Sequence, residues 1–159
     1  MTHTTGAPMT AETIRAGEVR TAREYLGLSR RGLAQLLRVS EATVQNWEKG
    51  KYAPPQGVVS EIRRLESVTA RTVQAVLDAA RARQDPVILV YRQDEDVPVG
   101  PARALGASWW RAVVARVRDV LGPEAVAVGY ADEFDALTGS SREQTLRTAI
   151  GPGTVMARG

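Results

Sequence analysis

The spacing of apolar residues predicts helices throughout the first half of the chain. Apolar side chains recur there at intervals of three and four residues, as one buried face of a helix requires. The pattern covers residues 11–26, two short segments within 28–51, and residues 58–80. We therefore predict a helical unit over residues 12–84. Its last segment is one long helix, or two stacked helices that break near residues 67–69.

Two serines divide the segment 28–51 into two short helices. Ser29 and Ser40 stand where an N-cap hydroxyl would accept from the free amides of a first helical turn. The apolar residues of both helices would form one small core that Trp47 closes, while the opposite face of the second helix stays polar. This order of elements predicts a helix-turn-helix, whose second helix enters the major groove of DNA.

Short runs of β-branched residues change the pattern in the second half. Residues 86–91 and 125–130 predict two buried strands. An apolar stripe between them predicts a helix that stops at Gly122 and Pro123. The predicted fold class is therefore α+β, with a helix-turn-helix bundle of four or five helices followed by a small strand-helix-strand unit.

Four segments follow from these patterns. Residues 1–11 are predicted to be a disordered arm, 12–84 the DNA-binding domain, 85–131 a dimerisation or sensing domain, and 132–159 a flexible tail.

The strand-helix-strand unit is too small to be stable alone, because a two-stranded sheet is marginal in water. We expect a second copy of the chain to complete it through a shared sheet and paired helices. The alternative is that the unit packs on the long helix of its own chain. The predicted dimer interface consists of Val87, Leu89, Trp109, Trp110, Val113 and Val117.

Charge is distributed in the way that DNA binding would require. Residues 1–84 carry 13 Arg and Lys against 8 Asp and Glu, whereas residues 85–159 carry 8 against 10. Positive charge is thus concentrated in the helical half. The chain has no Cys, which excludes disulfides and Cys-based metal sites. It shows neither a signal peptide nor a stretch long enough to span a membrane, so we expect a cytoplasmic protein without a membrane partner.

The second short helix ends in a specific motif. Residues 47–54 have the form W-E-x-G-x-x-x-P, preceded by small Ala34 and apolar Val39 and Val44. This segment resembles the helix-turn-helix of the phage lambda repressor and Cro superfamily, which implies a helical bundle whose third helix enters the major groove. The chain departs from that family at two positions, with Arg30 in place of Gln and Arg38 in place of a turn Gly. A non-glycine residue at positive φ costs roughly 1 kcal/mol, so we expect a slightly different turn.

Helix-turn-helix geometry and this resemblance imply roles for individual side chains. Carboxylate, amide and methyl groups on the second helix would read base edges, whereas cations and hydroxyls around it would contact phosphates. The candidate base readers are Glu41, Ala42, Gln45 and Asn46, and the candidate phosphate contacts are Arg30, Arg31, Thr43, Lys49 and Lys51.

The layout of the whole chain also resembles, more loosely, the anti-CRISPR-associated autorepressors. The matching stretches are residues 45–51, 87–91 and 108–117. This resemblance implies a dimeric repressor of its own operon, for which RNA binding is also conceivable.

Catalysis is the less favoured interpretation. His3 is the only histidine, which excludes a His-based triad or metal cluster. The acidic groups at residues 94–96 and 132–135 are more typical of solvated loops than of a Mg²⁺ site. We therefore expect no enzyme activity, no catalytic residues, no metal and no cofactor. The remaining alternative is an antitoxin or a ligand-responsive regulator, in which the C-terminal part binds a protein partner or a small molecule.

Overall fold

Four helices form the first half of the protein in the computed structural model, which describes residues 12–135 and 148–156. They are α1 (Ala16–Tyr25), α2 (Arg30–Leu37), α3 (Glu41–Glu48) and α4 (Gln56–Arg81). Helix α4 is continuous through residues 67–69, where Thr69 Oγ1 donates to the Leu65 carbonyl oxygen at 2.8 Å instead of interrupting the helix. The predicted arm at residues 1–11 lies outside the described residues.

The four helices share one hydrophobic core. The apolar positions that the spacing assigns to the inner face of the first helical segment are buried, among them Val19 within α1 and Leu26 directly after it. Helix α1 nevertheless begins later than expected. Arg15 precedes its first turn, and the Arg15 backbone amide donates to Glu18 Oε2 at 2.7 Å. Buried residues of the helix-turn-helix are Leu33, Ala34, Val44 and Trp47, with Leu36, Leu37 and Val39 packed against them.

The second half contains the predicted strand-helix-strand unit together with a third strand. Its elements are β1 (Val87–Val90), a short 3₁₀ helix (Asp94–Asp96), α5 (Pro101–Leu121), β2 (Ala127–Tyr130), α6 (Ala131–Asp135), β3 (Ala149–Ile150) and α7 (Pro152–Val155). The three strands form a parallel sheet in the order β2-β1-β3, with Val87 opposite Ala127 on one side and Ala149 on the other. The α+β fold class is confirmed. The prediction that both strands are buried is wrong for β2, because Ala127 and Val128 lie at an open edge of the sheet and are exposed.

The flexible tail predicted over residues 132–159 is wrong for the parts that the structure describes. Strand β3 pairs with β1, and the side chain of Ile150 is fully buried. The sequence pattern did not predict strand β3, because the segment is mostly polar and the strand has only two residues, of which one has a large apolar side chain. Residues 136–147 and 157–159 lie outside the described residues.

Helix α5 is longer than its apolar stripe predicts. It starts at Pro101 and changes direction at Gly106, where φ is 91°. The backbone amide of Ala107, which begins the longer part, donates to Asp94 Oδ1 at 2.7 Å. The 3₁₀ helix thus caps the part of α5 that packs against the sheet.

Helix α5 is buried within its own chain, which corrects the predicted dimer interface. Trp109 Nε1 donates to Thr69 Oγ1 of α4 at 2.9 Å, and Trp110 Nε1 donates to the Leu89 carbonyl oxygen of β1 at 2.7 Å. Residues already covered in this way cannot also form an open face for a second copy. The four α5 residues, Trp109, Trp110, Val113 and Val117, are each at most 1 % exposed. The alternative, packing on the long helix of the same chain, describes the observed arrangement.

Contacts from α5 also reach the turn between α1 and α2. Ser108 Oγ donates to the carbonyl oxygen of Gly27, and the Arg116 guanidinium lies 4.0 Å from the centroid of the Tyr25 ring. Gly27 has φ 66°, and a Cβ at this position would overlap Ala112 of α5. Packing therefore crosses the predicted boundary between residues 84 and 85. Within the described ranges, no helix combines the length and the apolarity that a membrane span needs.

Candidate nucleic-acid interface

Helices α2 and α3 begin at the two predicted caps. Ser29 Oγ accepts from the Gly32 amide at 3.0 Å, and Ser40 Oγ accepts from the Thr43 amide at 3.1 Å. Each hydroxyl satisfies an amide that the first helical turn would otherwise leave unpaired. Both caps are confirmed, and they fix where each helix starts.

The turn between α2 and α3 keeps a left-handed residue although that residue is not glycine. Arg38 has φ 56° and ψ 43°, and the following Val39 amide donates to the Ala34 carbonyl oxygen at 3.0 Å. Arg38 thus adopts the left-handed conformation that a turn glycine would adopt, and a change in turn shape stays a prediction. The side chain of Arg38 is exposed, so the strained backbone presents a cation beside α3.

Helix α3 has one buried and one open face. Val44 and Trp47 are buried and attach the helix to the core. The predicted base readers lie on the other face, where Glu41 and Ala42 are exposed and Gln45 and Asn46 are partly exposed. Positions 41 and 45, like 42 and 46, are one helical turn apart. The four side chains therefore form one contiguous patch at the N-terminal and middle part of α3.

Asn46 has a partner that sequence reasoning missed. Its Nδ2 donates to the Tyr52 hydroxyl at 3.0 Å, and Tyr52 is 46 % exposed. One amide hydrogen is used in this bond, which leaves the second hydrogen and Oδ1 free for a bidentate contact of the kind that reads adenine. Tyr52 thus orients a candidate base reader. In the sequence, the only indication of this role of Tyr52 is that an aromatic residue follows Gly50 closely, where a polar residue would be expected.

The residues after α3 form a compact stop. The Gly50 amide donates to the Trp47 carbonyl oxygen and the Lys51 amide to the Asn46 carbonyl oxygen, both at 3.0 Å. This pair of bonds is a Schellman motif, and Gly50, with φ 71°, occupies its left-handed position. The glycine of the W-E-x-G segment is therefore required by the helix end, which brings Lys51 and Tyr52 beside α3.

A buried carboxylate locks α3 to α1 and α2. Glu48 Oε1 lies 2.5 Å from Arg23 Nε, and Glu48 Oε2 lies 2.8 Å from Arg30 Nε, while the Glu48 side chain is only 3 % exposed. Burial by itself would raise the pKa of Glu48. The hydrogen bonds from Arg23 and Arg30 outweigh that effect and hold the pKa below its usual value.

Arg30, a predicted phosphate contact, belongs to this cluster. Its Nε donates to Glu48 Oε2, so the side chain joins α2 to the end of α3, while 37 % of the side chain stays exposed. Thr43, another candidate phosphate contact, belongs to the α3 cap, because its Oγ1 lies 2.8 Å from Ser40 Oγ. Arg30 thus connects two helices, whereas Thr43 supports the start of α3.

Exposed cations lie before and after α3 along the chain. Arg31 lies on α2, Arg38 in the turn, and Lys49 and Lys51 follow the last turn of α3. Of the predicted phosphate contacts, Arg31, Lys49 and Lys51 are thus at the surface, and Arg38 adds a cation that the prediction omitted. A polar helix face with exposed cations near both ends of its helix has the electrostatic character of a DNA-binding surface.

The acidic groups elsewhere have other partners. Asp94 caps α5, whereas Asp132 Oδ2 lies 2.9 Å from Arg92 Nε and Glu133 Oε1 lies 3.1 Å from Arg92 Nη2. The hydrogen bond from Arg92 lowers the pKa of Asp132. Among the described residues, no group of His, Cys, Asp and Glu side chains is arranged to hold a metal ion.

Comparison with known proteins agrees with this geometry. Residues 16–87 match the family model of a helix-turn-helix domain. No curated protein matches the chain. The matched range contains α1 to α4 and the first residue of β1, and it includes every residue of the candidate interface. The chain therefore carries a helix-turn-helix domain, the kind of domain that DNA-binding transcription regulators use to contact DNA.

Proposed function

We propose that the protein is a sequence-specific transcriptional repressor of the lambda repressor and Cro type, which binds an inverted-repeat operator as a dimer. The observation that carries this proposal is the open face of α3. Glu41, Ala42, Gln45 and Asn46 stand together there, while Val44 and Trp47 hold the helix from behind. Inserted in the major groove, this face brings carboxylate, methyl and amide groups to base edges.

The proposal separates residues that read sequence from residues that provide affinity. Asn46→Ala should cost about 1 to 3 kcal/mol on the preferred operator and relax the base preference at one position per half-site. Lys51→Ala should weaken binding to all duplexes alike and reduce the salt dependence, because one fewer counterion is displaced. Gel-shift titrations over two salt concentrations, on DNA from upstream of the gene and on scrambled duplexes, measure both effects. Equal behaviour of the two variants on all duplexes would contradict the division.

The dimer in this proposal uses the sheet and not the buried face of α5. Strand β2 is an open edge of the sheet within the described residues, and Ala127 and Val128 on it are exposed. Val87 and Leu89, which belong to the predicted interface, remain partly exposed on the neighbouring strand. Two β2 strands that pair across a twofold axis would extend the sheet and cover this edge.

A surface charge tests this interface. Val128→Arg should shift the protein from dimer to monomer and weaken operator binding at least tenfold, because both half-sites no longer bind as one unit. Val99→Arg is the matched control, since Val99 is 84 % exposed and lies outside the sheet. Sedimentation equilibrium measures the mass. If the Val128→Arg protein stays a dimer, the second copy binds elsewhere.

We also propose that the protein is not an enzyme. Asp94, Asp132 and Glu133 are engaged with a helix end or with Arg92, which supports structural roles for the acidic clusters.

The ligand-responsive alternative has one specific observation in its favour, an apolar groove beside α2.

A further inference from the structure

A groove of about 850 Å³ runs along α4 on the side where α2, α5 and α7 approach it. Its apolar wall comes from all four helices and consists of Leu36, Leu65, Val68, Leu105, Val155 and Met156. We call it the α4 groove. A volume in this range is typical of sites that enclose a small organic molecule.

The polar residues of the α4 groove differ in their state of pairing. Arg64 Nη2 lies 2.7 Å from Glu61 Oε1, so these two charges satisfy each other. Arg71 lies about two turns further along α4, is exposed, and has no ion pair or hydrogen bond to any part of the chain that the structure describes. The charged side chains of the groove therefore have a net positive charge, and this charge is located on the guanidinium of Arg71.

The hydroxyl group in the groove is not available to a ligand as a free donor. Thr72 Oγ1 lies 2.8 Å from the Val68 carbonyl oxygen, to which it donates. An occupant thus meets an apolar surface over most of its length and, at Arg71, a guanidinium that has no partner among the described residues. A guanidinium presents a planar pair of N–H groups that fits a carboxylate.

From these observations we propose that the α4 groove is a binding site for a small amphipathic anion, with an apolar body and one carboxylate or similar head group. The body lies against the apolar wall and the head group pairs with Arg71. Leu36 belongs to the first helix of the helix-turn-helix, so the occupant touches α2 as well as α4, α5 and α7. This site is separate from the DNA interface, and the proposal does not depend on operator binding.

The experiment uses decanoate as probe, with decanol as its uncharged counterpart, on the full-length protein without DNA. Isothermal titration should show one decanoate bound per chain and about tenfold weaker binding of decanol, because the alcohol lacks the charge-assisted hydrogen bonds. Arg71→Gln should remove that preference for the acid. Arg81→Gln is the matched control, since Arg81 is exposed on the same helix but outside the groove.

A second variant tests the apolar wall without disturbing the core. Ala104 is exposed and lines the groove, so Ala104→Trp should fill it and abolish binding of both probes. Ala115→Trp adds the same side chain at an exposed position of α5 outside the groove and should leave binding unchanged. Circular dichroism verifies that both variants are folded.

The remaining outcomes would overturn the proposal. Decanoate that fails to bind, or that binds the Arg71→Gln and Ala104→Trp proteins as well as the original, would show that the groove is not its site. Sedimentation of the Ala104→Trp protein addresses a different occupant. If this substitution dissociates a dimer, a second copy of the chain covers the groove instead of a small anion.

Discussion

Two regions of the molecule, the helix-turn-helix and the C-terminal part from β1 to α7, are stabilised by contacts between residues at different distances along the chain. In the former, each helix start depends on a bond between residues three positions apart, such as that of Ser29 Oγ with the Gly32 amide. In the latter, Trp109 bonds to Thr69, 40 positions away, and Ser108 to Gly27, 81 positions away. The first region can therefore specify its helix starts locally, although Glu48 joins its helices through Arg23, 25 positions away, and Arg30, 18 positions away. The second region is shaped by the helices on which it packs.

This difference also applies to function. The open face of α3 follows from helical spacing, because two buried residues determine which side faces outward. In contrast, no pattern of neighbouring residues in the sequence indicates that α5 packs on α4. None indicates that α5 and α7 together border the α4 groove. The two regions are nevertheless one packed structure, because the α1–α2 turn and α4 both contact α5.

Removing one buried tryptophan from each region should give the largest effect. Trp47→Ala and Trp109→Ala should each lower the free energy of unfolding by about 3 to 5 kcal/mol through loss of a large core side chain. Because packing connects the regions, each variant should still unfold in a single transition. Urea denaturation followed by circular dichroism and by fluorescence of the remaining tryptophans measures this, with Val99→Ala as the surface control. Two separate transitions would show that the regions fold independently.

Substitution of Glu48 tests whether its ion pairs with Arg23 and Arg30 stabilise the helix-turn-helix at neutral pH. The pKa of Glu48 is lower in the folded protein than in the unfolded chain, so its contribution is fully present above the ordinary glutamate pKa and is lost as pH falls through the folded value. Glu48→Gln should therefore cost about 1 to 3 kcal/mol at pH 7 and progressively less below about pH 4.

Denaturation of the original and Glu48→Gln proteins at pH 7, 5, 4 and 3 provides the measurement, and Glu124→Gln on the surface is the control. A stability difference that does not change with pH would contradict the proposed role of the carboxylate.

Substitution of Arg38, in the turn between α2 and α3, should have the smallest effect on stability. Arg38→Gly removes the steric cost of a side chain in the left-handed conformation, which is partly offset by the larger conformational freedom of glycine in the unfolded chain. We expect a gain of roughly 0.5 kcal/mol, measured as a small rise in the midpoint of thermal unfolding. Arg31→Gly loses the same charge within helix α2 and should have the opposite sign. Destabilisation by Arg38→Gly would mean that the arginine side chain makes a favourable contribution to the turn.

The sequence alone determined the elements of the helix-turn-helix and the direction in which α3 faces. Cap hydroxyls act within one turn, and apolar spacing identifies a buried face. The roles of Ser29, Ser40, Val44 and Trp47 therefore follow from the sequence alone. The same reasoning identified β1, β2 and the stop at Gly122, because these signals are also local.

Tertiary structure alone decided which surfaces remain open. Burial of Trp109 within its own chain, the addition of β3 to the sheet, and the partners of Arg30 and Asn46 depend on residues that are far apart in sequence or that lie beyond a helix end. A buried stripe looks the same in a sequence whether its partner is another helix of the same chain or a second copy. The difference arises only when the chain is packed, because burial is a property of the neighbours that a side chain finds and not of the side chain itself.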